Sequence, residues 1–397
     1  MFKRNVLAAS LTLAALCSAQ AAMADINGGG ATLPQPLYQT AGVLTAGFAP
    51  YIGVGSGNGK AAFLNNDYTK FVAGTTGKNV HWAGSDSKLS ATELSNYAAA
   101  HNAAWGPLIQ VPSVATSVAI PFNKAGSAAV DLSVNELCGV FSGRVNDWSQ
   151  ISGSGRTGAI TVVYRNESSG TTELFTRFLN AKCAETGTFA VTTNFASSYS
   201  GGLPAGAVAA VTSQGVMDAL NAGDGRVTYM SPDYAAPTLA GLDDATKVAR
   251  VGKDVAKNIA GVSPAPANVS AAINAVPVPT VDLNKPNNWV PVFAASANPS
   301  DPSVVPYPST GYPILGFTNL IFSQCYADAT QTSQVRTFFG RHYGSSSLTN
   351  NDNAIKNNRF VPLPAAWKTA IRDSFVTASS GLSIGNASVC NAIGRPL

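Results

Sequence analysis

Three separate segments rich in Gly, Ser or Thr each run into a helix-like stretch, and a chain that repeats this arrangement has few folds open to it. The first is Gly28-Gly29-Gly30-Ala31-Thr32-Leu33-Pro34, with Pro34 suited to the first turn of the helix that follows. The second, Gly53-Val54-Gly55-Ser56-Gly57-Asn58-Gly59, leads into Lys60 to Leu64. The third, Arg165-Asn166-Glu167-Ser168-Ser169-Gly170-Thr171-Thr172, runs from a predicted strand into a helix. The first backbone N–H groups of a helix are unpaired and its dipole favours negative charge there. Glycine lets the backbone approach closely, and hydroxyls donate from the same place. Singly, each loop is accounted for as a turn with an N-cap. Three together, with Arg165 opening the third, support an anion site.

Short strand-like runs alternate with helix-like ones, as where Ile160-Thr161-Val162-Val163-Tyr164 precedes Thr172 to Leu179, which is the rhythm of an α/β protein. A chain of 397 residues can bury a large core and is expected to divide into two lobes. Two extended apolar stretches, 111–122 and 305–322, fall where a chain would cross between lobes, although ordinary buried strands have the same composition. The segment 257–298 has little periodicity and predicts irregular surface structure with a short helix at 270–275. Trp367, Ile371 and Phe375, spaced by four within 364–375, predict an amphipathic helix with its aromatics in the core.

Lys3 and Arg4 precede an apolar run from Val6 to Leu16 and a small-residue site at Ala22-Met23-Ala24, so residues 1–24 read as an export signal. That run is well short of the roughly 20 apolar residues of a spanning helix. Ala14-Ala15-Leu16 also lacks the small residue expected just before a lipidated Cys17, so a soluble mature chain is expected from Asp25 onward. Removing Lys3 and Arg4 leaves 23 of the 25 basic residues against 21 acids, a formal charge of +2. No global field is then available to recruit nucleic acid. With only 12% charged residues beside 37 Gly and 23 Pro, the composition suits a loop-rich exported globular protein.

Four cysteines remain, Cys138, Cys183, Cys325 and Cys390, and an even number in an exported chain favours disulfides. Of the three pairings, Cys138 with Cys183 and Cys325 with Cys390 are preferred because sequence neighbours tend to share a lobe. Each closed loop would constrain the unfolded chain by roughly 3 to 4 kcal/mol. No Cys-x-x-Cys occurs and the histidines are His81, His101 and His342, so no metal site is expected. Neither a Walker-type loop nor a dinucleotide Gly-x-Gly-x-x-Gly on a suitable strand is present, so no cofactor is expected.

A fourth segment, Trp82-Ala83-Gly84-Ser85-Asp86-Ser87-Lys88-Leu89-Ser90, sets one carboxylate among small residues. Asp86 can be a helix cap. If it instead faces an anion, it is tolerated only when that anion has a proton to share, which would make it a selectivity device.

Asp25-Ile26-Asn27-Gly28, followed by the run to Pro34, resembles the DING proteins, named for that tetrapeptide, which are found among the phosphate receptors of the Pst-type ABC transport system. The likeness covers nearly the whole mature chain, including Val111-Pro112-Ser113-Val114, Phe141-Ser142-Gly143-Arg144, Asp147-Trp148, 225–229 and 363–371. It implies a type II periplasmic-binding-protein fold, with two α/β lobes joined by crossing segments: 25–115 and 310–397 in one lobe, 116–309 in the other. It implies inorganic phosphate as ligand, bound by Thr32 and Leu33 from the first loop, Ser56 from the second, and Arg165, Ser169, Gly170 and Thr171 from the third. Asp86 would accept the phosphate proton. Leu33 stands where the wider family has Phe, at a position that acts through its backbone N–H, and Glu167 stands where some relatives have Asp. The resemblance implies a periplasmic or secreted monomer, a non-enzyme that hands phosphate to a membrane permease. Two other classes remain: a phosphoester hydrolase, for which no Ser-His-Asp set is evident, and an adhesive secreted protein on the same fold.

Overall fold

The computed structural model describes residues 26–396. The expected export signal, Cys17 and Asp25 lie outside the described residues.

The expected alternation of strands and helices sorts into two sheets. The chain lays down β1 (Gly28–Gly30), β2 (Ile52–Gly53), β3 (Trp82–Ser85) and β4 (Leu108–Ser117), then crosses to β5 (Ile120–Asn123), β6 (Asp131–Leu132), β7 (Thr161–Arg165), β8 (Val208–Ala210), β9 (Arg226–Val227) and β10 (Val248–Val251). A two-stranded ribbon, β11 (Val292–Ala294) with β12 (Val304–Pro306), precedes the return to the first sheet as β13 (Leu315–Ser323) and β14 (Val361–Pro362). The sheets run β14-β4-β13-β3-β1-β2 and β6-β10-β5-β9-β7-β8. β4 and β13 are buried along their entire length and pair antiparallel at the centre of the first sheet, which is why both are rich in apolar residues, with polar groups such as Gln110 and Asn319 among them.

The helices are α1 (Gln35–Gln39), α2 (Ser56–Asn65), α3 (Ala91–Trp105), α4 (Val134–Ser142), α5 (Gly170–Lys182), α6 (Thr212–Asn221), α7 (Pro232–Ala235), α8 (Pro266–Ile273), α9 (Ala329–His342), α10 (Asp352–Asn357) and α11 (Ala365–Phe375). Local chemistry sets their starts. Ser90 with Glu93 and Ser133 with Glu136 form capping boxes on α3 and α4, and the Ser169 hydroxyl accepts the Thr172 N–H at the head of α5. The four-residue spacing of α11 buries Trp367, Ile371 and Phe375 as read from the sequence.

The first crossing is abrupt. Val118 N–H donates to Ile314 O at 2.8 Å, beside the first sheet, and the next residue, Ala119, donates to Met230 O at 2.7 Å, beside the second. The other stretch expected at a crossing, 305–322, holds β12 and β13. The chain meets the first sheet again earlier, where Ser117 Oγ donates to Pro264 O at 2.8 Å and Tyr312 N–H to Asn268 O at 3.1 Å.

The segment 257–298 is largely exposed or half-buried irregular chain, as expected, but it also sends anchors into the core. Its helix, α8, starts on Pro266 at the first turn, earlier than predicted, and buries Val269, Ala272 and Ile273 against β4. Trp289 is fully buried and meets Phe375 with ring centroids 4.9 Å apart, while β11 packs on both α5 and β13. Alanine and proline hide this role because they carry no hydrophobic period.

Both disulfides pair as preferred from the sequence, Cys138 with Cys183 and Cys325 with Cys390. The first ties α4 to the end of α5, and the second holds the chain beyond α11 to the end of β13.

Helix α2 lies directly on backbone. A Cβ on Gly59 would fall 2.5 Å from Gly30 Cα and 3.0 Å from Gly84 O, so only glycine lets the helix sit over β1 and β3 and deliver Ser56 to their ends. Gly59→Ala is therefore expected to cost about 1–3 kcal/mol by overpacking; urea denaturation of the purified variant checks this.

Candidate anion-binding site

The cluster forms where strands of both sheets end. β1 ends at Gly30 and hands over to Thr32, β2 to Ser56 through the turn at Gly55, and β3 to Asp86. From the second sheet, β7 ends on Arg165 and the following loop starts α5 at Gly170 with Ser169 as its cap. Carboxyl ends of parallel strands are the usual ligand crevice of α/β sheets. Thr32, Ser56, Asp86, Arg165, Ser169 and Thr171 are each buried.

Contacts between the two sides are direct. Arg165 Nη1 donates to Thr32 Oγ1 at 3.1 Å. Thr171 Oγ1 donates to Asp86 Oδ2 at 3.4 Å, and within the first side Ser56 Oγ accepts the Asp86 N–H at 3.1 Å. A Cβ on Gly170 would overlap Ser56 Oγ and come 2.5 Å from Asp86 Cβ, so the start of α5 reaches the first lobe only because that residue has no side chain. Leu33 is fully buried in the hydrophobic core, so its side chain packs and only its backbone is free for polar work. Ser169 spends acceptor capacity on its cap and gives its N–H to Thr193 O at 3.0 Å.

Arg165 is held from behind by Glu167. Its Nε donates to Glu167 Oε1 at 2.8 Å, Nη2 donates to the same oxygen, and that oxygen also accepts the Thr212 N–H at 2.8 Å. Asp86 has no such partner. Its Oδ1 is buried without a hydrogen bond, and burial pushes its carboxyl up to about 7, with Thr318, Arg165, Thr171 and Ser56 acting the other way.

Ser213, not singled out from the sequence, belongs to the cluster: its Oγ is 2.9 Å from Thr32 Oγ1. The signal was present as Ala210-Val211-Thr212-Ser213, a strand running through hydroxyls into a helix. It carries no glycine because Thr212 itself takes the left-handed conformation, at φ 59°.

The histidines are elsewhere. His81 Nδ1 accepts the Asn27 N–H at 3.0 Å and its Nε2 lies 3.1 Å from Gln331 Nε2. His342 sits between Ser113 Oγ at 2.9 Å and Asn351 Nδ2 at 3.1 Å. Burial lowers their pKa to about 3 and about 4 respectively. His101 stacks on Trp105 with centroids 3.8 Å apart. Among the described residues no group of three or more His, Cys, Asp or Glu could hold a metal ion.

A family profile described as a PBP superfamily domain matches residues 18–335. The chain belongs to the PBP superfamily. It is similar to a high-affinity periplasmic phosphate-binding protein, PfluDING, solved with bound phosphate at pH 8.5: 77% identity, TM-score 0.92, covering 94% of this chain and all of that one. It is 70% identical to a phosphate-binding protein from an unknown prokaryotic organism, over 94% of this chain and the whole of that protein. It is also 74% identical, over the full length of both, to a protein of Pseudomonas aeruginosa (strain UCBPP-PA14) named alkaline phosphatase L. Membership of this superfamily, and of its DING group, agrees with the resemblance read from the amino-terminal motif, and the two-sheet architecture is its two-lobed α/β fold.

Asp86 couples this site to pH. Its ordinary value is 3.8 and its folded value is raised to about 7, so the folded state holds a proton that the unfolded chain releases. That contribution is fully present below the ordinary value and is lost as pH rises through the folded one. Asp86 is expected to draw stability from the ligand-free protein between about pH 4 and pH 7, against a gain over much of the same range from the neutral buried His81 and His342, and Asp86→Asn to remove its own part of the loss. Asp233, pushed up to about 7 by its own burial, supplies another part. Urea midpoints at pH 5 and pH 8 for both proteins check it.

Proposed function

We propose that the chain is an exported, monomeric receptor that captures hydrogen phosphate between its lobes, performs no chemistry on it, and delivers it to the membrane permease of an ABC transporter. The observation that carries this reading is the convergence of hydroxyls, one guanidinium and the starts of α2 and α5 on a carboxylate with one oxygen left unpaired in a buried seam. The ligand-binding set proposed is Thr32, Leu33, Ser56, Asp86, Arg165, Ser169, Gly170 and Thr171. The lobes proposed are 25–115 with 310–397, and 116–309, the latter part of the second span packing on β4 and β13 of the first sheet and on α5. The two disulfides and the periplasmic relative support a periplasmic or secreted setting.

Stripping water from phosphate is costly, so fixed donors have to replace it. Charge-assisted hydrogen bonds contribute about 1.5 to 3 kcal/mol each, which is roughly ten- to hundred-fold in affinity. Asp86 adds discrimination. An ionised Asp86 can accept a proton from hydrogen phosphate, whereas sulfate at neutral pH has none and would set anionic oxygens against each other in a dry seam. Because both lobes grip one ion, its extra contacts in the closed form can drive closure.

The phosphatase name of a close relative gives a second reading its support. Against it, Ser169 and Thr171 have no histidine bonded to them to act as base, and both buried histidines are committed to other partners. Turnover of a chromogenic phosphoester by pure protein, abolished by Ser169→Ala, would reverse the ranking.

Titration calorimetry on refolded ligand-free protein, phosphate against sulfate, tests the proposal directly: phosphate is expected to bind and sulfate to be rejected. Arg165→Ala is expected to weaken phosphate binding at least about tenfold, by loss of one charge-assisted contact. Asp86→Asn is expected to lower the preference for phosphate over sulfate, and an unchanged ratio in competition would remove it from that role.

A further inference from the structure

A strained threonine and the buried serine after it stand at the Arg165 end of the cluster without a part in the ligand set. Thr212 opens α6 at φ 59°, a conformation that a β-branched residue rarely adopts. It is pinned from both sides: its N–H donates to Glu167 Oε1 at 2.8 Å, and its Oγ1 accepts the Gly215 N–H at 3.3 Å. The result is the placement of Ser213, 1% exposed, with Oγ 2.9 Å from Thr32 Oγ1 on the other side of the seam and 3.5 Å, a long contact, from Arg165 Nη1.

Proton counting then fixes a direction. A threonine hydroxyl has one proton and two lone pairs, and a guanidinium has donors only. One lone pair of Thr32 accepts from Arg165 Nη1 at 3.1 Å. If Thr32 gave its proton to Ser213, it would turn only lone pairs toward an anion, which is repulsive. If Ser213 donates instead, donors fill both lone pairs of Thr32 and its single proton is left for the anion. The charge on Arg165 biases Ser213 the same way, drawing its lone pairs toward Nη1 and leaving its proton to point at Thr32.

We propose that Ser213 is a positioning residue for anion capture, which makes Thr32 a one-way donor through a relay running from Arg165 and Ser213 to Thr32 and on to the ligand. The proposal rests on the phosphate reading of this site. The relay joins the two sides of the seam, with Ser213 and Arg165 on one and Thr32 on the other. It also sorts the ligand's oxygens: the one facing Thr32 has to be unprotonated, which sends the ligand's proton toward Asp86.

The test is a double-mutant cycle read by phosphate calorimetry on the wild type, Ser213→Ala, Thr32→Val and the double variant. Ser213→Ala is expected to weaken phosphate binding about three- to tenfold, the range of one hydrogen bond. In the Thr32→Val background the same change is expected to cost less than about twofold, because the relay has lost its outlet. A merely structural serine would cost the same in both backgrounds, and that result overturns the proposal. So does unchanged affinity in Ser213→Ala while the wild type binds phosphate. No phosphate binding by the wild type would overturn the reading beneath it and this proposal together.

Discussion

A small anion taken into a closed seam leaves its water behind, and every lost hydrogen bond has to be met by a donor already in place. On the phosphate reading proposed above, that requirement accounts for the make-up of the seam better than any single contact. One surface cannot surround a tetrahedral ion, so donors come from two sides, and they come from strand ends and helix starts because unpaired N–H groups are concentrated there. Gly59 over Gly30 and Gly170 against Ser56 are the places where the backbone itself has to come close, and neither tolerates a Cβ.

Charge in the seam is arranged asymmetrically. Arg165 is braced by Glu167, which also holds the head of α6, so the positive group is fixed before any ligand arrives. Asp86 is left with one oxygen unpaired and its carboxyl pushed toward neutrality by burial. An unpaired buried carboxylate is a cost to folding. On the proposed reading, a ligand that shares a proton relieves the ionised form and one without a proton worsens it, so the burial that costs the empty protein would also bias its choice of partner.

Much of this was legible in the sequence where a physical rule leaves a local mark. Glycine beside hydroxyls ahead of a helix marked Thr32, Ser56, Arg165 and the start of α5, and the four-residue aromatic spacing marked α11. Neighbouring cysteines in a chain read as exported marked both disulfides. What escaped had no such mark. Ser213 was hidden because Thr212 holds, under strain, a conformation that glycine normally announces. The segment around α8 and Trp289 was hidden because alanine and proline carry little periodic signal, and its burial depends on β4 and α11, distant in the chain.

The crossing at Val118 and Ala119 has its own mechanical meaning. Two consecutive amides are tethered to different halves of the molecule, so sliding one half past the other would tear at least one tether, whereas a swing about the intervening peptide spares both. The return passage at Pro264 is bonded to Ser117 just before that crossing, so the passages lie side by side like paired hinges, and a few degrees of turn there become a wide displacement at the far edge.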